Sequence, residues 1–305
     1  MLFLLGLPPC PAHPARQAKA DSLGTRTRIF VLTDISTLSA DEGEPDDTQS
    51  LIRLLLMSDK FNIEGIAATY TSHGRHLYPE YPKEVIRAYA VSYPNLTRHS
   101  QGFANPDSLL AKVTFGSGRC GTDRIGKGHD TPASRALENA VRSNPVKPLW
   151  VLVWGAPTDL AQALWSLREE CRPEEERRLL ANLHVYAIGD QYDKSGPWIR
   201  SKFPQLDYIT DYSNFRGMYR GGDTTLVSSE WVRDNIHSSS APLARLYPDY
   251  NGGDPWGKVR GIKEGDSPSF LYLIYGEPSC RDFHPVKYRK RYQRDFSERI
   301  NWLTK

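Results

Sequence analysis

The chain is poor in sulfur. Its 305 residues include four cysteines and three methionines. Cys10, Cys120, Cys171 and Cys280 stand far apart and form no C-x-x-C pair, which argues against a cysteine zinc site or a thioredoxin-type dithiol. No apolar run approaches the roughly 20 residues needed to cross a bilayer. An excess of one charge sign is also lacking. Thirty-nine Lys and Arg against 36 Asp and Glu leave a formal net charge of +3, too small at this length to point to nucleic acid. There is no phosphate-binding loop and no Gly-x-Ser-x-Gly elbow, which sets aside P-loop and serine-hydrolase chemistry. No internal repeat and no convincing linker divides the chain.

What is present is ordinary for a soluble globular protein, with 39% hydrophobic and 25% charged residues. The basic excess gathers late, in Lys287-Tyr288-Arg289-Lys290-Arg291-Tyr292-Gln293-Arg294, and reads as a solvated tail. Leu2 to Leu7 is short and apolar, and Ala18-Lys19-Ala20 resembles a cleavage site. Without a basic n-region, residues 1–27 read as disordered or as a partial signal segment, and the expected location is extracellular. Asn95-Leu96-Thr97 is a glycosylation acceptor in that setting.

From Arg28 onward, strand-like and helix-like segments alternate. Strands are expected at 29–33, 63–69, 149–154, 183–188 and 208–209. Helices are expected at 48–58, 82–93, 134–144, 158–167, 174–181 and 197–202. Short apolar strands between amphipathic helices predict an α/β fold, a Rossmann-like, mostly parallel sheet with helices on both faces. The stretches 103–131 and 238–265 read as long loops.

Four segments carry candidate chemistry. The first is Asp34 with Glu44-Pro45-Asp46-Asp47, between the first strand and the first helix, where open α/β sheets bind ligands. Carboxylates crowded there need a cation or a shared proton, and an all-oxygen set suits Ca²⁺ or Mg²⁺. The alternative is an acidic helix start that complements the dipole. The second is Trp154-Gly155-Ala156-Pro157-Thr158, a strand end with a Gly-containing turn, or simply a βα connection. The third, Gly189-Asp190-Gln191-Tyr192-Asp193-Lys194-Ser195-Gly196-Pro197-Trp198, offers carboxylate, amide and aromatic groups suited to sugar, or a turn with Pro197 opening a helix. The fourth brings Asp266, which either returns to the first cluster or caps a helix. His73 and His76 follow the second strand and are weaker candidates.

Taken together and in order, these segments resemble the nucleoside hydrolase superfamily. The likeness is carried by Leu32-Thr33-Asp34-Ile35, Glu44-Pro45-Asp46-Asp47, Ile63-Glu64-Gly65-Ile66, Val151-Leu152-Val153-Trp154-Gly155, Gly189-Asp190-Gln191, Ser195-Gly196-Pro197-Trp198-Ile199-Arg200, Phe215-Arg216-Gly217-Met218-Tyr219 and Gly265-Asp266-Ser267-Pro268-Ser269-Phe270-Leu271. More closely, the chain is similar to the Sde182 cellulose-binding, nucleoside-hydrolase-like family, from about Arg28 to Ile274.

The resemblance implies a calcium ion at the strand ends and cleavage of an N-glycosyl bond in a nucleoside or other glycosyl small molecule. It makes Asp34 the water-activating base and a metal ligand, Asp47 a bridging ligand, the Trp154 carbonyl and Asp266 further ligands, and Asp46 a partner of the sugar hydroxyls. Asp190, Gln191, Asp193 and Trp198 would approach the sugar, with His73 as a further substrate contact. The other activity it implies is carbohydrate binding without chemistry, with a polysaccharide as partner and Trp154, Trp198 and Trp256 as stacking surfaces.

Three departures stand out. Residues 35–45 separate Asp34 from Asp46, a longer spacing than in nucleoside hydrolases, with 37–42 as the inserted segment, which either loops out or displaces Asp34. Gly265 stands where inosine-uridine enzymes place a leaving-group histidine. After Tyr275 the likeness stops and the expected sandwich domain does not follow, so 277–305 reads as a divergent basic tail; the insertion and this tail are expected to reflect an imperfect gene model or a truncated form. Sequencing the transcript tests this, and a continuous message encoding both segments would sink the idea.

Overall fold

A computed structural model describes residues 26–40, 43–254, 257–276 and 283–305. Chain order runs β1 Thr27–Thr33, α1 Asp46–Leu56, β2 Phe61–Ala68, α2 Glu80–His99, α3 Pro106–Ala111, β3 Val113–Phe115, α4 Pro132–Ser143, β4 Leu149–Val153, α5 Thr158–Glu170, α6 Pro173–Leu180, β5 Leu183–Ile188, α7 Ser195–Lys202 and β6 Asp207–Asp211. Then follow α8 Ser229–Asn235, α9 Pro242–Arg245, β7 Tyr250–Asp254, β8 Gly257–Gly261, α10 Pro268–Tyr275 and α11 Pro285–Trp302.

The first six strands form one parallel sheet in the order β3-β2-β1-β4-β5-β6. The order reverses between β1 and β4, which opens a crevice above their C-terminal ends. Alternation along β1 divides the core in two. Ile29 and Val31 face one cluster, built with α1, α2 and α8 to α11, while Phe30 and Leu32 face another, built with α4 to α7. With apolar cover on both faces, β1 and β4 are buried along almost their whole length, which is why their sequences run apolar rather than alternating.

The stretch 103–131 is not one loop. It holds α3 and the edge strand β3, then a strap pinned to the polar face of α5 by Gly121 to Thr158, Gly126 to Gln162, and Gln162 and Ser166 to Asp130. The stretch 238–265 likewise contains α9 and the antiparallel pair β7–β8. Three-residue and glycine-rich strands give little periodic signal.

The basic run 287–294 is helical rather than an irregular tail, with Lys287, Lys290, Arg291 and Arg294 exposed and Arg289 turned inward. It lies in α11, where Arg289, Tyr292, Gln293, Phe296, Arg299 and Ile300 are buried. Arg289 donates to the carbonyls of Gly217, Arg220, Gly221 and Asp223. Arg299 forks onto Asp59 and the Leu56 carbonyl. Basic side chains are admitted to this core because carbonyls and a carboxylate satisfy them. Asn95, within α2, commits its amide nitrogen to the Leu303 carbonyl at 2.9 Å. Trp256, Asp41, Glu42, Cys10, Cys280 and residues 1–25 lie outside the described residues.

Candidate functional site

Above the crevice between β1 and β4 lies a cleft of about 310 Å³. Its floor is Asp34, Asp46, Asp47 and Asp266, and its walls include Gln191, Tyr212, Phe215 and Lys263. Local chain geometry explains each placement. β1 ends at Thr33, so Asp34 emerges at the sheet edge, and Gly155 makes room for it. A Cβ on Gly155 would lie 2.5 Å from the Asp34 Cβ. Asp46 and Asp47 open α1, where the helix dipole favours acidic groups. Asp266 comes from the turn before α10.

Oxygens of Asp46, Asp47 and Asp266 lie within 4.8 Å of one another. Burial raises the carboxyl of Asp46 to about 7, with the Glu44 charge adding to it. Burial first, and then mutual repulsion, hold Asp47 and Asp266 well above the usual carboxylate range. Asp34 is raised to about 6 by burial, against hydrogen bonds from Tyr192 and Asp47 that lower it. Thr33 donates to Asp47. One Asp266 oxygen, Oδ2, is buried with no hydrogen-bond partner.

The described part of the inserted segment, 37–40, does not displace Asp34. The Thr48 hydroxyl holds the Thr37 carbonyl at 2.5 Å, and Asp34 stays beside Asp47. Gly265 passes so close to Asp46 that a Cβ would sit 3.0 Å from its Oδ2, so a side chain there, such as the histidine of the inosine-uridine pattern, would require the Asp46 carboxylate to shift.

Two buried side chains of α1 fix the Asp266 turn. Gln49 accepts from the Lys263 and Glu264 amides at 2.6 and 3.0 Å and donates to the Pro248 and Gly261 carbonyls. Arg53 pairs with Glu264, which also receives Tyr247 and Ser267. Arg53 further donates to Gln293 at 2.8 Å and lies 3.8 Å over the Phe296 ring, tying the site to α11.

Asp34, Asp46, Asp47, Asp266 and Gln191 therefore meet in the cleft. The Trp154 carbonyl receives the Gln191 amide, and its indole is fully buried, donating to Ser269 at 2.9 Å. Asp190 is turned away. It accepts from Arg200 at 2.6 Å, Tyr208 at 3.0 Å and Tyr212 at 2.8 Å, and so pins the exposed Tyr212 ring on the cleft wall. Asp193 holds the Thr158 hydroxyl and the Ser195 amide where α7 begins. Trp198 packs toward Phe203 in the opposite core. His73 stands at the rim, 4.0 Å from Glu44.

Sequence reasoning missed Tyr192 and Lys263. Tyr192 donates to Asp34 from a left-handed backbone, φ +68°, with its ring edge on Tyr70. Lys263 is almost buried and pairs with Glu44. The only signal for Lys263 was its place three residues before Asp266.

A parallel sheet in this strand order with acids at the switch point defines a nucleoside-hydrolase-like α/β protein. The chain belongs to the family of the cellulose-binding Sde182, nucleoside hydrolase-like domain, whose model matches residues 28–281. It is similar in structure to a nucleoside hydrolase-related hypothetical protein from Saccharophagus degradans that is associated with carbohydrate metabolism, at 25% identity and TM-score 0.74, over 92% of this chain and 72% of that one. A plant nucleoside hydrolase, PpNRh1, shares the fold at 12% identity and TM-score 0.51, over 90% and 98% of the two chains. No curated protein sequence matches the chain. Among the described residues, no helix is long and apolar enough to cross a membrane.

Proposed function

We propose that the cleft hydrolyses an N-glycosyl bond of a nucleoside-like small molecule with the help of a divalent cation, calcium in the first instance. The observation that carries this reading is Asp266 Oδ2, a buried carboxylate oxygen without a partner, beside Asp46 and Asp47. An unpaired buried acceptor costs about 1–3 kcal/mol, more for a charged group, unless something satisfies it. A hard cation fits an all-oxygen donor set.

Asp46, Asp47 and Asp266 would hold the ion, with Asp34 and the Trp154 carbonyl as further oxygens. Bound there, calcium would acidify a water and hold a sugar diol. Asp34, steadied by Tyr192, takes the proton of the attacking water. The carboxylates favour the positive charge that grows on the sugar as the glycosyl bond breaks, while the bonding pair leaves with the base, which takes a proton from solvent. Tyr212, pinned by Asp190, offers a fixed ring face to the substrate, so little side-chain entropy is lost on binding. An extracellular location belongs to the same proposal.

A second reading, sugar binding without hydrolysis, is favoured by the Lys263–Glu44 pair, which counters negative charge at the cleft without a metal. The family description and the carbohydrate association of the Saccharophagus relative agree with it. The deciding experiment is release of free sugar from a nucleoside panel, with calcium and with chelator. Chelator-sensitive release is expected. No release from any nucleoside, with cello-oligosaccharide binding retained in calorimetry, would leave the binding role.

A further inference from the structure

The cleft carries its own cation. Five acids line it, Asp34, Glu44, Asp46, Asp47 and Asp266, against Lys263 and Arg216. Arg216 is spent on the outer wall, over the Phe215 ring at 4.4 Å and donating to the Tyr212 carbonyl at 3.2 Å. Lys263 differs in every respect. Its side chain is only 7% exposed, it binds Glu44, it lies 5.0 Å from the Tyr250 ring centre, and its charge bears directly on Asp46.

Its tether is rigid. The Lys263 amide is held by Gln49 at 2.6 Å, and the next two residues lead to the fixed Glu264 and to Gly265 against Asp46. Glu44 is the opposite case, a half-exposed side chain that stays solvated with or without its partner. The ammonium thus has two neighbouring carboxylates, one half-exposed and one within the cluster.

We infer that Lys263 is a tethered counter-ion whose placement sets how strongly the Asp46, Asp47 and Asp266 carboxylates accept a divalent cation. Glu44 holds the ammonium while its charge already acts on Asp46, and when that hold is lost the ammonium moves fully onto Asp46 and competes with the ion for it. Like charges brought together in a partly desolvated cleft repel more strongly than in water, so the competition is steep. The inference rests on the cation site of the proposed function and does not depend on turnover.

The test is calorimetric titration of Ca²⁺ into the wild-type chain, Lys263→Met and Glu44→Gln, with the thermal midpoint of each in chelator as a check on folding. Lys263→Met is expected to bind at least tenfold more tightly than wild type. Glu44→Gln, a change at a half-exposed side chain, is expected to bind at least tenfold more weakly. A Lys263→Met affinity equal to or below that of the wild type overturns the inference, as does an unchanged Glu44→Gln. Wild type silent with Lys263→Met binding supports the counter-ion role while removing the calcium-dependent hydrolase. Wild type binding with both variants unchanged does the reverse.

Discussion

Tyr192 donates its hydroxyl to Asp34 across the cleft, from a residue whose φ of +68° few non-glycine side chains adopt. The structure keeps a strained backbone to place that hydroxyl, and such strain gathers at functional sites. The bond lowers the Asp34 carboxyl within an environment that raises it. Tyr192→Phe should raise Asp34 further and shift the acidic limb of a pH–rate profile upward. A hydrogen bond to a charged group contributes about 1.5–3 kcal/mol, which corresponds to roughly 1–2 pH units. An unmoved acidic limb would remove Tyr192 from the proposed chemistry.

The clustered acids make stability depend on pH in a defined direction. Asp34 and Asp46 rise in the folded state to about 6 and 7 from an ordinary 3.8. The folded protein therefore holds protons that the unfolded chain has released, and their stabilisation is complete below pH 3.8 and lost as pH rises through 6 and 7. In chelator the melting temperature should fall across that window. Saturating Ca²⁺ should flatten the fall, since a ligand of the folded state adds about 2.7 kcal/mol at a hundredfold excess over its Kd. Parallel melting curves with and without the ion would count against the site.

Asp266→Asn isolates the unpaired oxygen. It should abolish the Ca²⁺ response in the same melts, because the amide takes away the anionic oxygen that a hard cation needs. A variant that still responds to Ca²⁺ as the wild type does would exclude Asp266 as a ligand.

Asp59 and Arg299 tie α11 to the segment after α1. Burial raises the Asp59 carboxyl, but the Arg299 hydrogen bonds and charge, with Lys60, outweigh this and hold it below 3.8. This pair's stabilisation is present above pH 3.8 and is lost as pH falls further, opposite in sign to that of the cleft acids. Arg299→Met should therefore lower stability in urea unfolding above pH 3.8, with the difference from wild type shrinking as pH falls below it; a difference that is the same at every pH would deny the pair its charge.

Arg53 and Glu264 are both fully buried, so removing one leaves the other charge stranded. Arg53→Ala should cost about 3–5 kcal/mol in urea unfolding. Phe296→Ala, which removes the ring under Arg53, should cost a similar amount by creating a core cavity. Wild-type stability in either variant would mean that α11 is not part of the cooperative unit.

What the sequence determined by itself is the local part. Apolar runs at 29–33, 149–153 and 183–188 became central parallel strands because burial on both faces demands uninterrupted apolar character. The acids at strand and helix ends were legible because Asp34, Asp46 and Asp47 lie within one βα unit, whose geometry is short-range. Asp266 was legible through its motif.

Tertiary structure decided the rest, through contacts that no local pattern encodes. Asp190 and Asp193 have the composition of a sugar-binding loop, yet partners far along the chain, Tyr212 and Thr158, turn them into supports. The charge-rich segment 287–294 has the composition of a tail, yet carbonyls at 217–223 draw its Arg289 inward and Arg53 does the same for its Gln293. Lys263 meets Glu44 across 219 positions of sequence. Whether a buried charge is paired depends on which distant group the fold brings within reach, and that is settled only when the sheet and its helices have packed.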